Sequence, residues 1–221
     1  MYRISEVAGY TRGNVSTLRT WVLGRISPID QTRRYSAVIK AANRRHQECL
    51  SFVNLVEAHV LVALRRTHRV PMSKIRAAVA WLKKQTGKEY PLAELGVETD
   101  GLEVFVRHLG EIVSASEQGQ VHIREVVEKF LHRIERDRRG VPVMFYPFTY
   151  ENFDSGCPKD VVIDPTVGFG RPIVKGTRIS TSMIFERYTA GESLCDIASD
   201  YDLELRPVEE ALRCEIEQKA A

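Results

Sequence analysis

No apolar run reaches the length of about eighteen residues that a membrane-crossing helix requires. The start, MYRISEV, also lacks the basic-then-apolar layout of a secretory leader, so the expected location is cytoplasmic. Cysteine is sparse: Cys49, Cys157, Cys195 and Cys214 stand far apart, with no CxxC pair and no histidine at zinc-ligand spacing. A disulfide framework and a structural zinc site are thereby set aside, and the thiols read as reduced and mostly buried. Catalytic constellations are missing as well. His46, His59, His68, His108, His122 and His132 are isolated, and spacing assembles no Ser/His/Asp or Cys/His arrangement around them. The expectation is a protein that is not an enzyme and carries no metal or cofactor.

What is present is an uneven distribution of charge. The 221 residues carry a net charge of only +3. Residues 1–88, however, hold 17 Lys/Arg against 4 Asp/Glu (+13), residues 89–149 hold 7 against 11 (−4), and residues 150–221 hold 8 against 14 (−6). Only the first segment has the balance of a polyanion-binding surface.

That segment opens with YRISEVAGYTRGNVSTLRTWV. Ile4, Val7 and Ala8 fall at helical spacing, Thr11-Arg12-Gly13 supplies a turn, and Val15, Leu18, Trp21 and Val22 form a second apolar stripe. The pattern predicts a helix-turn-helix. In such units the second helix enters the major groove. Arg12, Asn14, Ser16 and Thr17 stand at its start, with Arg19 and Thr20 a turn later. Asn and Arg make the bidentate contacts that discriminate adenine and guanine, and Ser or Thr can donate to phosphate. Arg25, Arg33 and Arg34 fall in a wing-like loop suited to phosphate or the minor groove. The bland alternative is a helical pair and loop with a solvated basic face. Further helices are expected through Phe52, Leu55, Val56, His59 and Val62, and, after Val70-Pro71, through Ile75, Ala78, Val79 and Leu82.

ISEVAGYTRGNVSTLRTW resembles the start of MerR-like winged helices, and VEAHVLVALRRTHRVPMSKIRAAVAWL is similar to their later helix pair. The resemblance covers residues 1 to about 86 and implies DNA binding through the second helix. MerR regulators usually continue into a long dimerising coiled coil. Here the alternation of Leu102, Val104 and Val106, followed through Leu109-Gly110 by Ile112, predicts a β-hairpin instead, so effector sensing is not expected. Ile123, Val126, Val127, Phe130, Leu131 and Ile134 predict one amphipathic helix, and VPVMFYPF an edge strand. The stretch ENFDSGCP reads as a linker.

Near the other end lies FGRPIVKGTRIST, residues 169–181. A phosphate-cradling loop needs its lysine and hydroxyl after the second glycine, whereas here Lys175 precedes Gly176 and Pro172 has no N–H to offer. The residues predict a strand ribbon with Ile173 and Ile179 as anchors. Three helices follow: one through Met183, Ile184 and Tyr188; one capped by Ser193 and Asp196; and one from Arg206-Pro207 through Val208, Ala211, Leu212 and Ile216. With Glu209, Glu210, Glu215 and Glu217 on it, the last helix is a poor phosphate reader, and an acidic face docking a basic partner is the expectation. Arg171, Lys175 and Arg178 form a basic island, whose bland explanation is ion pairing within its own domain.

VVIDPTVGFGRPIVKGTRISTSMIFERYTAGESLCDIASDYDLELRPVEEALRCEI resembles the domain of unknown function 433, with Phe169 as a minor departure from its glycine-rich signature. Together with the winged helix, it is similar to the long VapB-type antitoxins of toxin-antitoxin operons, a resemblance spanning nearly the whole chain. It implies an autorepressor that binds double-stranded operator DNA, forms a homodimer and neutralises a PIN-type ribonuclease toxin. The dimer or toxin interface would comprise Arg171, Pro172, Ile173, Lys175, Gly176, Thr177, Arg178 and Ile179. Alternatives are a protein-interaction or RNA-binding module, or a MerR-like regulator without a toxin. The fold class expected is mainly α with small β elements: a winged helix-turn-helix (1–88), a β-hairpin/helix connecting region (89–149) and a trihelical antitoxin domain (150–221).

Overall fold

A computed structural model describes residues 1–26, 34–41, 49–66, 70–96, 100–113, 117–150 and 156–220. The architecture is mainly α with small β elements. Strand β1 (Tyr2–Arg3) leads into α1 (Ile4–Thr11), where the Glu6 carboxylate accepts from the Arg3 N–H at 2.6 Å and fixes the first turn. Arg12 adopts left-handed backbone (φ 53°), and the Gly13 N–H closes on the Ala8 carbonyl at 2.8 Å. Helix α2 (Val15–Leu23) follows at once, burying Leu18, Trp21 and Val22. Strands β2 (Arg25–Ile26) and β3 (Arg34–Tyr35) pair antiparallel as a wing, and β4 (Cys49–Leu50) returns to β1. Helices α3 (Phe52–Arg66) and α4 (Met72–Thr86) complete the helix pattern expected of the first 88 residues.

The hairpin expected over 102–112 is overturned: Asp100–Val113 is one helix, α5. Leu102, Phe105, Val106 and Leu109 are its buried hydrophobic side chains, spaced i, i+3, i+4, i+7, while Val104 is exposed. Alternation over three residues was too short to outweigh that longer period. Helix α6 (Glu117–Leu131) packs closely on it. A Cβ at Gly110 would meet the Gln120 side chain at 2.5 Å. The connecting region does contain a hairpin, but farther on, in β5 (Ile134–Arg136) and β6 (Pro142–Phe145). Ile134 therefore opens a strand rather than extending the helix.

Strand β6 is not an edge. In the order β5-β6-β7-β8 it lies between β5 and β7 (Val161–Ile163), with Pro142 at its first position, where a missing N–H is tolerated. The ribbon FGRPIVKGTRIST contains β8 (Pro172–Val174), registered Val162 to Ile173 on β7. The chain then folds back, with the Val174 N–H donating to the Ile179 carbonyl at 2.9 Å.

Alternation along β7 and β8 gives this sheet two faces. Val161 and Val174 pack beneath α7 (Thr181–Thr189), α8 (Leu194–Asp200) and α9 (Leu205–Ala220), with Ile184, Ile197, Val208, Ala211 and Cys214. Val162 and Ile173 join Tyr146 on the opposite face. Ser193 caps α8 as expected, accepting from the Asp196 N–H at 3.1 Å. All four cysteines are free; Cys214 is buried, its thiol pushed up to about 12 by burial, whereas Cys195 is exposed, contrary to the expectation of mostly buried thiols.

The sheet takes strands from both sides of the expected linker, and α9 packs directly on α1. A Cβ at Gly9 would meet the Gln218 Cα at 2.9 Å, so only a glycine permits this helix approach. Arg133 bridges the linker from the interior. Its guanidinium donates to the carbonyls of Tyr146, Pro147, Cys157 and Pro158 at 2.7–2.9 Å.

Candidate nucleic-acid interface

Asn14 is the N-cap of α2. Its Oδ1 accepts from the Thr17 N–H at 3.2 Å and from the Ser16 hydroxyl at 2.6 Å, which leaves the amide Nδ2 as an exposed donor at the helix start. Ser16, Thr17 and Thr20 line a groove of about 440 Å³ together with Trp21, Arg25, Tyr35, Arg65, Met72, Ser73 and Arg76. The groove thus joins α2, the wing and the corner between α3 and α4. The guanidiniums of Arg25 and Arg76 lie 5.4 and 5.8 Å from the Tyr35 ring centroid, and Arg76 also donates to the Ser36 carbonyl. Arg65 donates to the Val70 carbonyl at 2.6 Å. A neighbouring hollow of about 310 Å³ brings Gly13, Asn14, Thr17 and Arg65 beside Arg12 and Arg66.

Cations are crowded here. Burial and then Arg25 hold the Arg76 guanidinium below its ordinary range; burial and then Arg12 do the same for Arg66. A surface that packs like charges together gains from an opposing row of phosphates. Three arginines from α3 and α4, Arg65, Arg66 and Arg76, therefore line the candidate interface beside the residues that the sequence singles out. Arg65 and Arg66 end one apolar stripe and Arg76 opens the next, on either side of Pro71, and that flanking position in a +13 segment was the available signal.

The expected site residues divide into groups. Ser16, Thr17, Thr20 and Arg25 share the groove, and Asn14 borders it. Arg19 and Arg34 are exposed on α2 and β3, while Arg33 lies outside the described residues. Arg12 is turned to a different task. Its side chain is only 8% exposed, its Nε donates to the Phe148 carbonyl at 3.0 Å, and its Nη2 lies 2.7 Å from Glu217 on α9.

In the C-terminal unit, Pro172 and Ile173 are buried in the sheet, Thr177 and Ile179 are half-buried, and Arg171, Lys175, Gly176 and Arg178 are exposed. The expected acidic docking face is largely spent within the chain. Glu210 is 1% exposed and accepts from the Thr149 hydroxyl, Glu215 accepts from the Thr181 hydroxyl, Glu217 holds Arg12, and Glu209 lies 3.7 Å from Arg213. Among the described residues no group of histidine, cysteine and carboxylate side chains could hold a metal ion, and no helix is long and apolar enough to cross a membrane.

A capped recognition helix, a wing and an arginine-lined groove between them define a helix-turn-helix DNA-binding domain. Residues 1–79 match the family described as "Putative DNA-binding HTH domain", and residues 161–213 match "Protein of unknown function (DUF433)"; the chain carries both domains. It is similar to "Putative antitoxin VapB45" of Mycobacterium tuberculosis (strain ATCC 25618 / H37Rv), at 29% identity over 231 residues covering 96% of this chain and 92% of that protein. "Uncharacterized protein Rv2308" of the same organism is 26% identical over 166 residues, 71% of this chain and 67% of that one. The crystal structure of Rv2018 from Mycobacterium tuberculosis superposes with a TM-score of 0.67 at 25% identity, covering 96% of each chain.

Proposed function

We propose that this protein is the antitoxin and autorepressor of a toxin-antitoxin operon. Its MerR-like winged domain, residues 1–88, binds the operon's own operator. The connecting region, 89–149, and the DUF433 unit, 150–221, form a homodimer and sequester a PIN-type ribonuclease toxin in the cytoplasm, without enzymatic activity of their own. The observation that carries this reading is the groove in which Ser16, Thr17 and Thr20 of α2 face Arg25, Arg65 and Arg76. It combines a polar helix end suited to base edges with cations suited to phosphate on both sides. A two-fold dimer would set paired α2 helices on half-sites about 34 Å apart or a multiple of that.

Similarity to a protein named as an antitoxin, over nearly the full length, supports the toxin-neutralising half. Coexpression with the product of the adjacent reading frame tests that half: rescue of growth together with co-purification is expected. A neighbour whose toxicity this chain leaves unchanged would refute it. Footprinting on the chain's own promoter tests the other half independently.

A further inference from the structure

The C-terminal unit has a net charge of −6, yet its cations differ in their partners. Arg187, Arg206 and Arg213 are each paired with carboxylates. Among the described residues, Lys159, Arg171, Lys175 and Arg178 form no ion pair. Lys175 and Arg178 line a cavity of about 530 Å³ on the sheet face not covered by helices, and the Lys159 and Lys175 ammoniums stand 5.2 and 5.0 Å from the Tyr146 ring centroid beside it. Close by is the buried Arg133, whose guanidinium hydrogen-bonds to four carbonyls. The Lys159 ammonium is held below its ordinary range by burial, then by Arg133, with Lys175 adding to the effect. Two carboxylates also line the cavity. Glu135 accepts from the Tyr146 hydroxyl at 2.5 Å, and Asp164 accepts from the Thr166 N–H and hydroxyl at 2.7 and 2.6 Å, so both are already engaged.

The floor is aliphatic, formed by Met144, Val162, Val167 and Ile173. Two residues beyond Val167, Phe169 is 97% exposed in left-handed backbone (φ 56°), between Gly168 and Gly170 at φ 57° and 75°. Gly170 is wedged against the N-terminal domain, where a Cβ would strike the Tyr2 hydroxyl, so this projection of an aromatic into solvent is held in place.

We propose that this sheet face is a docking surface for an extended acidic segment of a partner protein, its aliphatic side chains entering the cavity and its carboxylates meeting Lys159, Lys175 and Arg178, with Phe169 as a flanking anchor. The proposal rests on reading the DUF433 unit as the partner-binding half of the protein. The aliphatic floor of Met144, Val162, Val167 and Ile173 favours apolar side chains over bases, and the oligomer arm of the test decides whether the exposed Phe169 ring stacks on a base instead. With Lys159 beside the cavity, three cations face the two carboxylates Glu135 and Asp164, and this excess selects the acidic sign.

The test uses the full chain and a fluorescein-labelled peptide alternating Leu and Glu, compared with a Leu/Lys peptide and a single-stranded DNA oligomer. Binding of the Leu/Glu peptide with a Kd of about 10–500 µM is expected, with slowed amide exchange at residues 142–146 and 172–178. Lys175→Glu with Arg178→Glu should weaken it at least about tenfold. Both side chains are exposed, so an unchanged melting temperature and intact operator binding will show that the variant is folded and that the DNA reading stands apart. Four results overturn the proposal: no peptide binding up to about 1 mM, equal binding of the Leu/Lys peptide, stronger binding of the oligomer, or an indifferent double variant. Self-association of the chain that Phe169→Ser abolishes assigns the face to a second copy and equally overturns it.

Discussion

Arg12, in the turn of the helix-turn-helix, and Glu217, on the last helix, form an ion pair of 2.7 Å that ties the turn before α2 to the C-terminal helix. Sequence places them 205 positions apart, from 217 back to 12, and neither residue's neighbours hint at the other. Glu217→Gln leaves a largely buried guanidinium without its carboxylate, which should cost about 1–3 kcal/mol. For a chain of this size that lowers the melting temperature by roughly 2–12 °C. If Arg12 positions α2 rather than touching DNA, Arg12→Met should weaken operator binding while leaving the salt dependence of affinity unchanged. A shallower slope would make Arg12 a phosphate contact instead.

Arg65 and Arg76 should behave in the opposite manner. Alanine at either position is expected to lower affinity for all sequences alike and to reduce the slope of log K against log salt by about one each. Titrations of operator and random DNA at several salt concentrations measure both quantities.

Asn14 has two separable duties. Asn14→Ala loses the helix cap, costing about 1 kcal/mol of stability, as well as the Nδ2 donor. Asn14→Asp retains a capping oxygen and the melting temperature, yet replaces the exposed Nδ2 donor by an acceptor and should lose preference for an acceptor-bearing base edge at one base pair. Binding-site selection with the Asp variant reads this; an unaltered consensus would remove Asn14 from base recognition.

How much of this was legible in the sequence depends on the range of the interaction. Local signals, such as the α2 stripe, the turn at Arg12-Gly13 and the Ser193 cap, predicted what they encode because each is satisfied within a few residues. The 100–113 helix was misread because Leu102, Val104 and Val106 match a strand over a short window, and only the burial of Phe105 with Leu109 reveals the longer period. The groove was half legible: α2 and Arg25 are sequence neighbours, whereas Arg65 and Arg76 reach them through the α3–α4 corner. Long-range use of charge was invisible. Glu210 reads as surface acid in the sequence and is buried against Thr149 in the fold.

Two buried titratable groups on α3 predict how stability depends on pH. Burial raises the Glu57 carboxyl to about 8, despite opposing contributions from Asn54 and Lys83, and burial lowers the His59 imidazole to about 3, with its Nε2 at 3.0 Å from the Phe130 carbonyl. The raised Glu57 contributes stability below about pH 4.5 that is lost as pH rises towards 8, whereas the depressed His59 contributes stability above about pH 6.5 that is lost as pH falls towards 3. Between about pH 6.5 and 8 the Glu57 linkage outweighs that of His59, so unfolding free energies from urea titrations should fall by up to about 2 kcal/mol in the wild type and not fall in Glu57→Gln. Parallel curves for the two proteins would mean that Glu57 is already ionised in the fold.

We propose that the groove between α2, the wing and the facing ends of α3 and α4 reads operator DNA. Footprinting of the full chain on the DNA upstream of its own reading frame, repeated with the Arg65→Ala/Arg76→Ala variant, tests it most directly. Protected half-sites spaced by about one helical turn or a multiple of it are expected, with binding tighter than to random DNA and loss of protection in the variant. Uniform protection without a preferred sequence, or an unchanged footprint in the variant, would contradict it.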